Sequence, residues 1–300
     1  MDKVQIGRTA IEGLRLFFGR FGTACRIAWV PLVILIIAQI GYVLLITPAM
    51  EAFGATFYYQ NVEPEDDLAV VEAILEAGGE LFSQIGWQVL AFVLISAAAY
   101  MMLVVAWLRF GLLGDKLDGR IGLLRLGGRE IKTFFAYILW ALLWLIMIGV
   151  TVLIGVGFAQ ISPWLSAVAV VPMAIVMILW TTRLLLVFPS IALDQGMRWG
   201  MAWRMTKGNG WRLFTAFGLA TLLVFAVSLV PSVIVALLAF AVGFADTAAF
   251  SVIDLVGAIV QQITGVFSAM VLLGSLAEAY RQLNGPGIAV SEQVLSVFDD

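Results

Sequence analysis

Histidine is absent from the 300 residues, and cysteine occurs once, at Cys25. The first absence removes the commonest general base and the usual transition-metal ligand. The second removes any intrachain disulfide, and Cys25, beside Arg26, reads as a small packing residue. Charge is scarce too: Asp, Glu, Lys and Arg make up 12% of the chain, about half the usual soluble share of roughly 25%. Basic residues are missing altogether from residues 27–108, 133–182 and 213–280. No phosphate-binding loop, dinucleotide fingerprint, zinc-ligand spacing or nucleophile elbow is present. The chain therefore reads as no enzyme, with no cofactor, no metal and no nucleic-acid partner.

Apolar residues make up 62% of the chain, and the mean hydropathy is +1.04. Several continuous runs exceed the ~20 residues that carry a helix across a bilayer core. Their length and continuity argue against a β-barrel, whose strands alternate over ~10 residues. The expected fold is an all-α integral membrane protein with six transmembrane helices and cytoplasmic interfacial helices. The spans are expected at about 24–46, 85–108, 134–158, 165–187, 213–241 and 252–277. The first follows a basic stretch longer than a signal peptide's n-region, and is expected to be retained. A run of glycines, Gly149, Gly155 and Gly157, reads as a close-packing face of span 3.

Residues 1–23 form an amphipathic stretch, with Arg8, Glu12, Arg15 and Gly19 on one helical face and Ile11, Leu14, Phe18 and Phe21 on another. Such a helix is expected to lie in the membrane interface, packed against the protein's own spans, or both. Loop 47–83 carries eight acidic residues and no basic one; Glu72, Glu76 and Glu80 predict a short surface helix there. All 17 Lys and Arg lie in the N-terminal arm, the 2–3 and 4–5 loops, or the span ends facing them. The positive-inside rule then places both termini, including the tail 285–300, on the cytoplasmic side.

Thr9–Pro31, Gly119–Ala141 and Met197–Leu219 align loosely as an apolar-basic helix, a glycine break (Gly19/Gly22, Gly127/Gly128, Gly208/Gly210), a basic residue and an outward span. Each is followed by a returning span that ends in arginine: Arg109, Arg183 and Arg281. The pattern predicts three tandem units of interfacial helix plus transmembrane hairpin; convergent composition at membrane interfaces is the plainer alternative.

The third unit carries a family resemblance. Phe188-Pro189-Ser190-Ile191-Ala192-Leu193-Asp194, then Ala202-Trp203-Arg204-Met205-Thr206-Lys207-Gly208-Asn209-Gly210-Trp211-Arg212, resembles the six-span membrane domain of some bacterial glycerophosphoryl diester phosphodiesterases. It is similar also to uncharacterised six-span inner-membrane proteins, as is the closing Ala279-Tyr280-Arg281-Gln282-Leu283. The likeness covers residues 100–284 in hydropathy and is motif-specific only around 188–212. It implies a membrane module rather than an activity. In the fused proteins the hydrolase is a separate domain relying on histidines and metal-binding acids, and it is not expected in a sequence without histidine.

Three groups of residues are candidates for function. Arg15, Arg20, Arg125, Arg129, Lys132, Arg204, Lys207 and Arg212 would attract anionic lipid headgroups, at about 1 kcal/mol each near the surface. Asp254, Gln261, Thr264, Ser268 and Ser275 form a polar stripe on span 6, read either as helix packing or as a hydrated route. Arg183 and Asp194 are expected to form a structural ion pair, with lipid phosphate binding as the alternative, and Arg109 with Asp115 or Asp118 would be the equivalent pair in the preceding unit. The expected function is a non-enzymatic module binding anionic lipid of the phospholipid bilayer, another membrane protein or a second copy of itself, as scaffold or accessory subunit. The alternative is a small-molecule or lipid transporter or channel lined by span 6.

Overall fold

The computed structural model describes residues 3–49, 67–114, 127–242 and 252–284, and among them every regular element is helical. In chain order these are α1 (Ile6–Gly19), α2 (Phe21–Leu45), α3 (Asp67–Leu113), α4 (Gly128–Ala159) and α5 (Pro163–Leu184). Two short helices follow, α6 (Val187–Ala192) and α7 (Trp199–Met205), and then α8 (Gly210–Val242) and α9 (Val252–Asn284). Among the described residues six helices are long and apolar enough to cross a membrane, so the chain has a multi-pass helical architecture. Pro31, Pro172 and Pro231 sit inside α2, α5 and α8. A membrane-spanning helix tolerates such prolines because local backbone adjustment re-satisfies the groups they free.

The short surface helix expected within loop 47–83 is not a separate element. Helix α3 runs unbroken over 47 residues, from Asp67 into the second span, about 70 Å at 1.5 Å per residue. Nothing between 67 and 85 stops a helix; Gly78 and Gly79 each cost only about 1 kcal/mol relative to alanine. The loop's acidic residues up to Asp66 lie outside the described residues.

The repeat is only partly visible. The first and third copies show a short helix, a break and a long helix: α1 into α2, and α7 into α8. In the middle copy residues 119–126 lie outside the described stretch. The glycine breaks are not equivalent. Gly208 adopts φ +81° between α7 and α8, the left-handed conformation glycine tolerates best. The first break falls at Arg20 instead, with φ −127°, so Gly19 and Gly22 belong to the helices on either side.

The chain divides into two compact units, one from 1–28, 101–228 and 267–300, the other from 29–100 and 229–266. Every Lys and Arg among the described residues belongs to the first. Its core is built around α6, all six residues of which are buried, with Val4, Leu108, Ala136, Ala202, Leu213 and Tyr280 packed about it. Helix α4 packs on α5 and α6, and α5 on α7. Gly155 meets Val170, whose Cγ2 would lie 3.0 Å from an added Cβ, whereas Gly149 and Gly157 face open space. A single glycine, rather than three, makes the close approach. In the second unit Gly41 admits the Phe92 ring, and the Gln262 amide donates to the Tyr100 hydroxyl at 3.2 Å.

Candidate functional site at the basic end

The polar chemistry of the first unit is organised by two carboxylates, Asp194 and Glu278. Asp194 follows α6 with φ 61°, a conformation Asp and Asn adopt more readily than other side-chain-bearing residues. Backbone bonds from Asp194 to Ile191 (3.0 Å) and from Gln195 to Ser190 (2.9 Å) close the turn. Its carboxylate meets Arg129 Nε at 2.5 Å and Arg109 Nη1 at 3.5 Å. Arg109, whose side chain is 7% exposed, also donates to the Ala192 carbonyl at 2.8 Å. The charge at the end of α3 is thus matched by the carbonyl of the last residue of α6 and by an acid of the adjoining turn.

The expected Arg183–Asp194 ion pair does not form. The intervening segment is not a simple return to the same helix end: it folds as the buried α6, whose burial directs Asp194 toward Arg109 and Arg129. Asp115 and Asp118, the partners expected for Arg109, lie outside the described residues. Arg183 instead lies over the Trp203 ring, its guanidinium carbon 4.8 Å from the ring centroid.

Glu278 is the residue that sequence reasoning passed over. Only 4% exposed, it pairs with Arg8 at 3.0 Å and Arg281 at 3.7 Å, and accepts from the Gln282 amide at 2.9 Å. The signal was available: an acid inside an apolar run, three residues before an arginine, must be matched or pay heavily for burial. Arg281 also donates to the Gly111 carbonyl of α3.

The N-terminal arm is pinned to this assembly. The Val4 amide donates to Asn209 Oδ1 and the Val4 carbonyl accepts from Arg212, both at 3.3 Å, while the Gln5 amide donates to Gln282 Oε1 at 2.8 Å. Asn209 belongs to the Gly-Asn-Gly turn, so that turn both redirects the chain and receives the arm. Helix α1 then buries Thr9, Ala10, Gly13 and Phe17. Gly13 meets Gly274 and Ser275 of α9 backbone to backbone; a Cβ on Gly274 would lie 3.0 Å from Gly13 Cα. Ile11 and Phe18 stay exposed, as does Arg15. The helix therefore has three faces, one packed on protein, one apolar and open, one charged.

The headgroup candidates separate accordingly. Arg129 is taken by Asp194 and Arg212 by Val4, so both serve inside the fold. Arg15, Arg20, Lys132, Arg204 and Lys207 are exposed, and Arg125 lies outside the described residues. Trp203 and Trp211 are exposed alongside, at 37% and 61%.

The polar residues of α9 are used one by one. The Ser268 and Ser228 hydroxyls lie 3.2 Å apart, and Thr264 donates to Val260 of its own helix at 2.8 Å. Ser275 is fully buried against α1, and Gln261 is exposed. Nothing is described of the Asp254 side chain.

No family model, curated protein or solved structure matches this chain. Among the described residues no cluster of three metal-ligating side chains occurs. What the arrangement offers chemically is a tightly ion-paired interior with cations and indole rings left at its surface.

Proposed function

We propose that this chain is a non-enzymatic multi-pass module of a bacterial inner membrane that binds anionic lipid through its basic end, as a scaffold or accessory subunit. The observation carrying this reading is the division of labour among the cations. Arg109, Arg129 and Arg281 are engaged by Asp194 and Glu278, while Arg15, Lys132, Arg204 and Lys207 remain exposed, as do the Trp203 and Trp211 side chains. Basic and tryptophan side chains together suit the headgroup layer of an anionic leaflet. The likeness of residues 188–212 to membrane domains of glycerophosphoryl diester phosphodiesterases supports the same class of role. On the positive-inside rule the basic end, with both termini, faces the cytoplasm. A reporter active only outside the cytoplasm, fused after Asp300, should stay silent.

The test is native-membrane purification followed by lipid mass spectrometry. Anionic phospholipid should be enriched over its share of the membrane, and Arg15→Glu with Arg204→Glu and Lys207→Glu should return the ratio to that of the bulk. Bulk composition in the wild type, with no co-purifying membrane protein and no second copy, would sink the reading. A transport route along α9 is the weaker reading, because Ser268, Thr264 and Ser275 are committed to packing and backbone contacts.

A further inference from the structure

Each of the three returning spans ends in arginine, and the structure treats them unequally. Arg109 has the Ala192 carbonyl and the Asp194 carboxylate. Arg281 has the Gly111 carbonyl and the Glu278 carboxylate. Arg183 has neither kind of acceptor among the described residues: its Nε is buried and makes no hydrogen bond, and its one polar contact is the face of Trp203. A guanidinium in this position without an acceptor is costly, and the indole face offsets only part of that cost.

The surroundings sharpen the asymmetry. Gly210, the first residue of α8, lies directly against the guanidinium; a Cβ there would sit 2.6 Å from Nη2 and 2.8 Å from Nε. The absence of a side chain lets the planar group lie along the start of the helix. That start is the positive end of the helix dipole, so Arg183 rests against a second positive feature. The acid expected to neutralise it, Asp194, is held by Arg109 and Arg129. Trp180 packs edge-on against Trp203 at 5.4 Å, keeping the ring beneath the guanidinium in place. Arg183 itself is partly exposed, so an acceptor can reach it from outside the fold.

We infer that Arg183, laid between Trp203 and Gly210, is a binding site for a phosphate group, that of an anionic lipid headgroup or a free phosphate. The inference rests on the lipid-binding reading above and assigns it one residue. The guanidinium fork suits a phosphate bidentately, and an anion there neutralises both the arginine and the helix end.

The full chain in neutral detergent is titrated separately with short-chain phosphatidylglycerol, short-chain phosphatidylcholine and inorganic phosphate, and bound species are counted by native mass spectrometry. Phosphatidylglycerol should bind better than phosphatidylcholine, and Arg183→Gln should weaken it about tenfold or more. Arg183→Lys should recover only part of the loss, because a lysine keeps the charge but not the fork. Gly210→Ala keeps every charge and displaces the guanidinium, so it should weaken binding as well; it decides the matter if Arg183→Gln fails to fold. Arg183-dependent binding of inorganic phosphate without phosphatidylglycerol assigns the free anion as the source. Arg183→Gln and Gly210→Ala proteins that melt like the wild type and bind both anionic probes undiminished overturn the site. If Arg204→Gln with Lys207→Gln then abolishes lipid retention, the broader reading survives while Arg183 does not. If the wild type retains no anionic lipid, the lipid-binding part of the broader reading fails, and the Arg183 site stands or falls on the inorganic phosphate titration alone.

Discussion

Replacing Asp194 by asparagine isolates the charge at the centre of the basic end. Asparagine has nearly the same shape and also tolerates left-handed backbone, so the φ of 61° is not itself put under strain. Two interactions weaken together, with Arg129 at 2.5 Å and with Arg109 at 3.5 Å. Arg129 and Asp194 are about a third exposed, so that contact is discounted toward a surface pair, roughly 1 kcal/mol. Arg109 is 7% exposed and keeps the Ala192 carbonyl, so it loses its carboxylate but not every partner. Removing one partner of a fully buried pair costs about 3–5 kcal/mol, and the remaining hydrogen bond and the exposure of Asp194 bring the loss here to about 1–2 kcal/mol. The combined expectation is a loss of about 2–3 kcal/mol. It is measured by reversible unfolding in mixed detergent micelles, followed by tryptophan fluorescence. Asp194→Ala should cost about 1 kcal/mol more, because alanine resists the left-handed conformation. Double-mutant cycles then assign the partners: Asp194→Asn should couple to Arg109→Gln and Arg129→Gln, and be additive with Arg183→Gln. A neutral Asp194→Asn, or coupling to Arg183 larger than to Arg109, would refute the pairing.

Glu278→Gln leaves Arg8 and Arg281 without their carboxylate and should destabilise by about 1–3 kcal/mol in the same assay, whereas Arg8→Gln alone, on the exposed side of the pair, should cost under about 1 kcal/mol. Gly274→Ala pushes a methyl to within 3.0 Å of the Gly13 backbone, so α1 should detach, seen as protease cleavage after Arg15 or Arg20 and a loss of about 1–3 kcal/mol. Asn209→Ala removes the acceptor of the Val4 amide, and hydrogen exchange at Val4 should quicken about fivefold, for a bond worth about 1 kcal/mol. Trp107→Phe deletes the indole that donates to the Met270 carbonyl at 2.6 Å in a fully buried position, and should cost about 1–3 kcal/mol.

The long helices and their number were readable from the sequence because hydropathy is a local property: a run of apolar residues must become a helix if it is to cross a bilayer at all. The concentration of Lys and Arg at one set of helix ends was equally readable, since it needs only their positions along the chain. Continuity of α3 back to Asp67 was missed because an acidic amphipathic pattern predicts a helix without saying whether it joins the next one. Pairing depends on direction in three dimensions. Asp194 lies 85 positions beyond Arg109 and only eleven beyond Arg183, yet the buried turn of α6 hands it to the distant residue. Glu278 looked like an incidental acid until the fold carried Arg8 from the far end of the chain to its carboxylate. Residue order alone specifies six helices able to span a membrane, with the cations gathered on one side of the hydropathy pattern. Packing in three dimensions selects which cations are consumed within that end and which, Arg183 among them, are left to meet something else, because a carboxylate satisfies only the arginines that packing brings within reach.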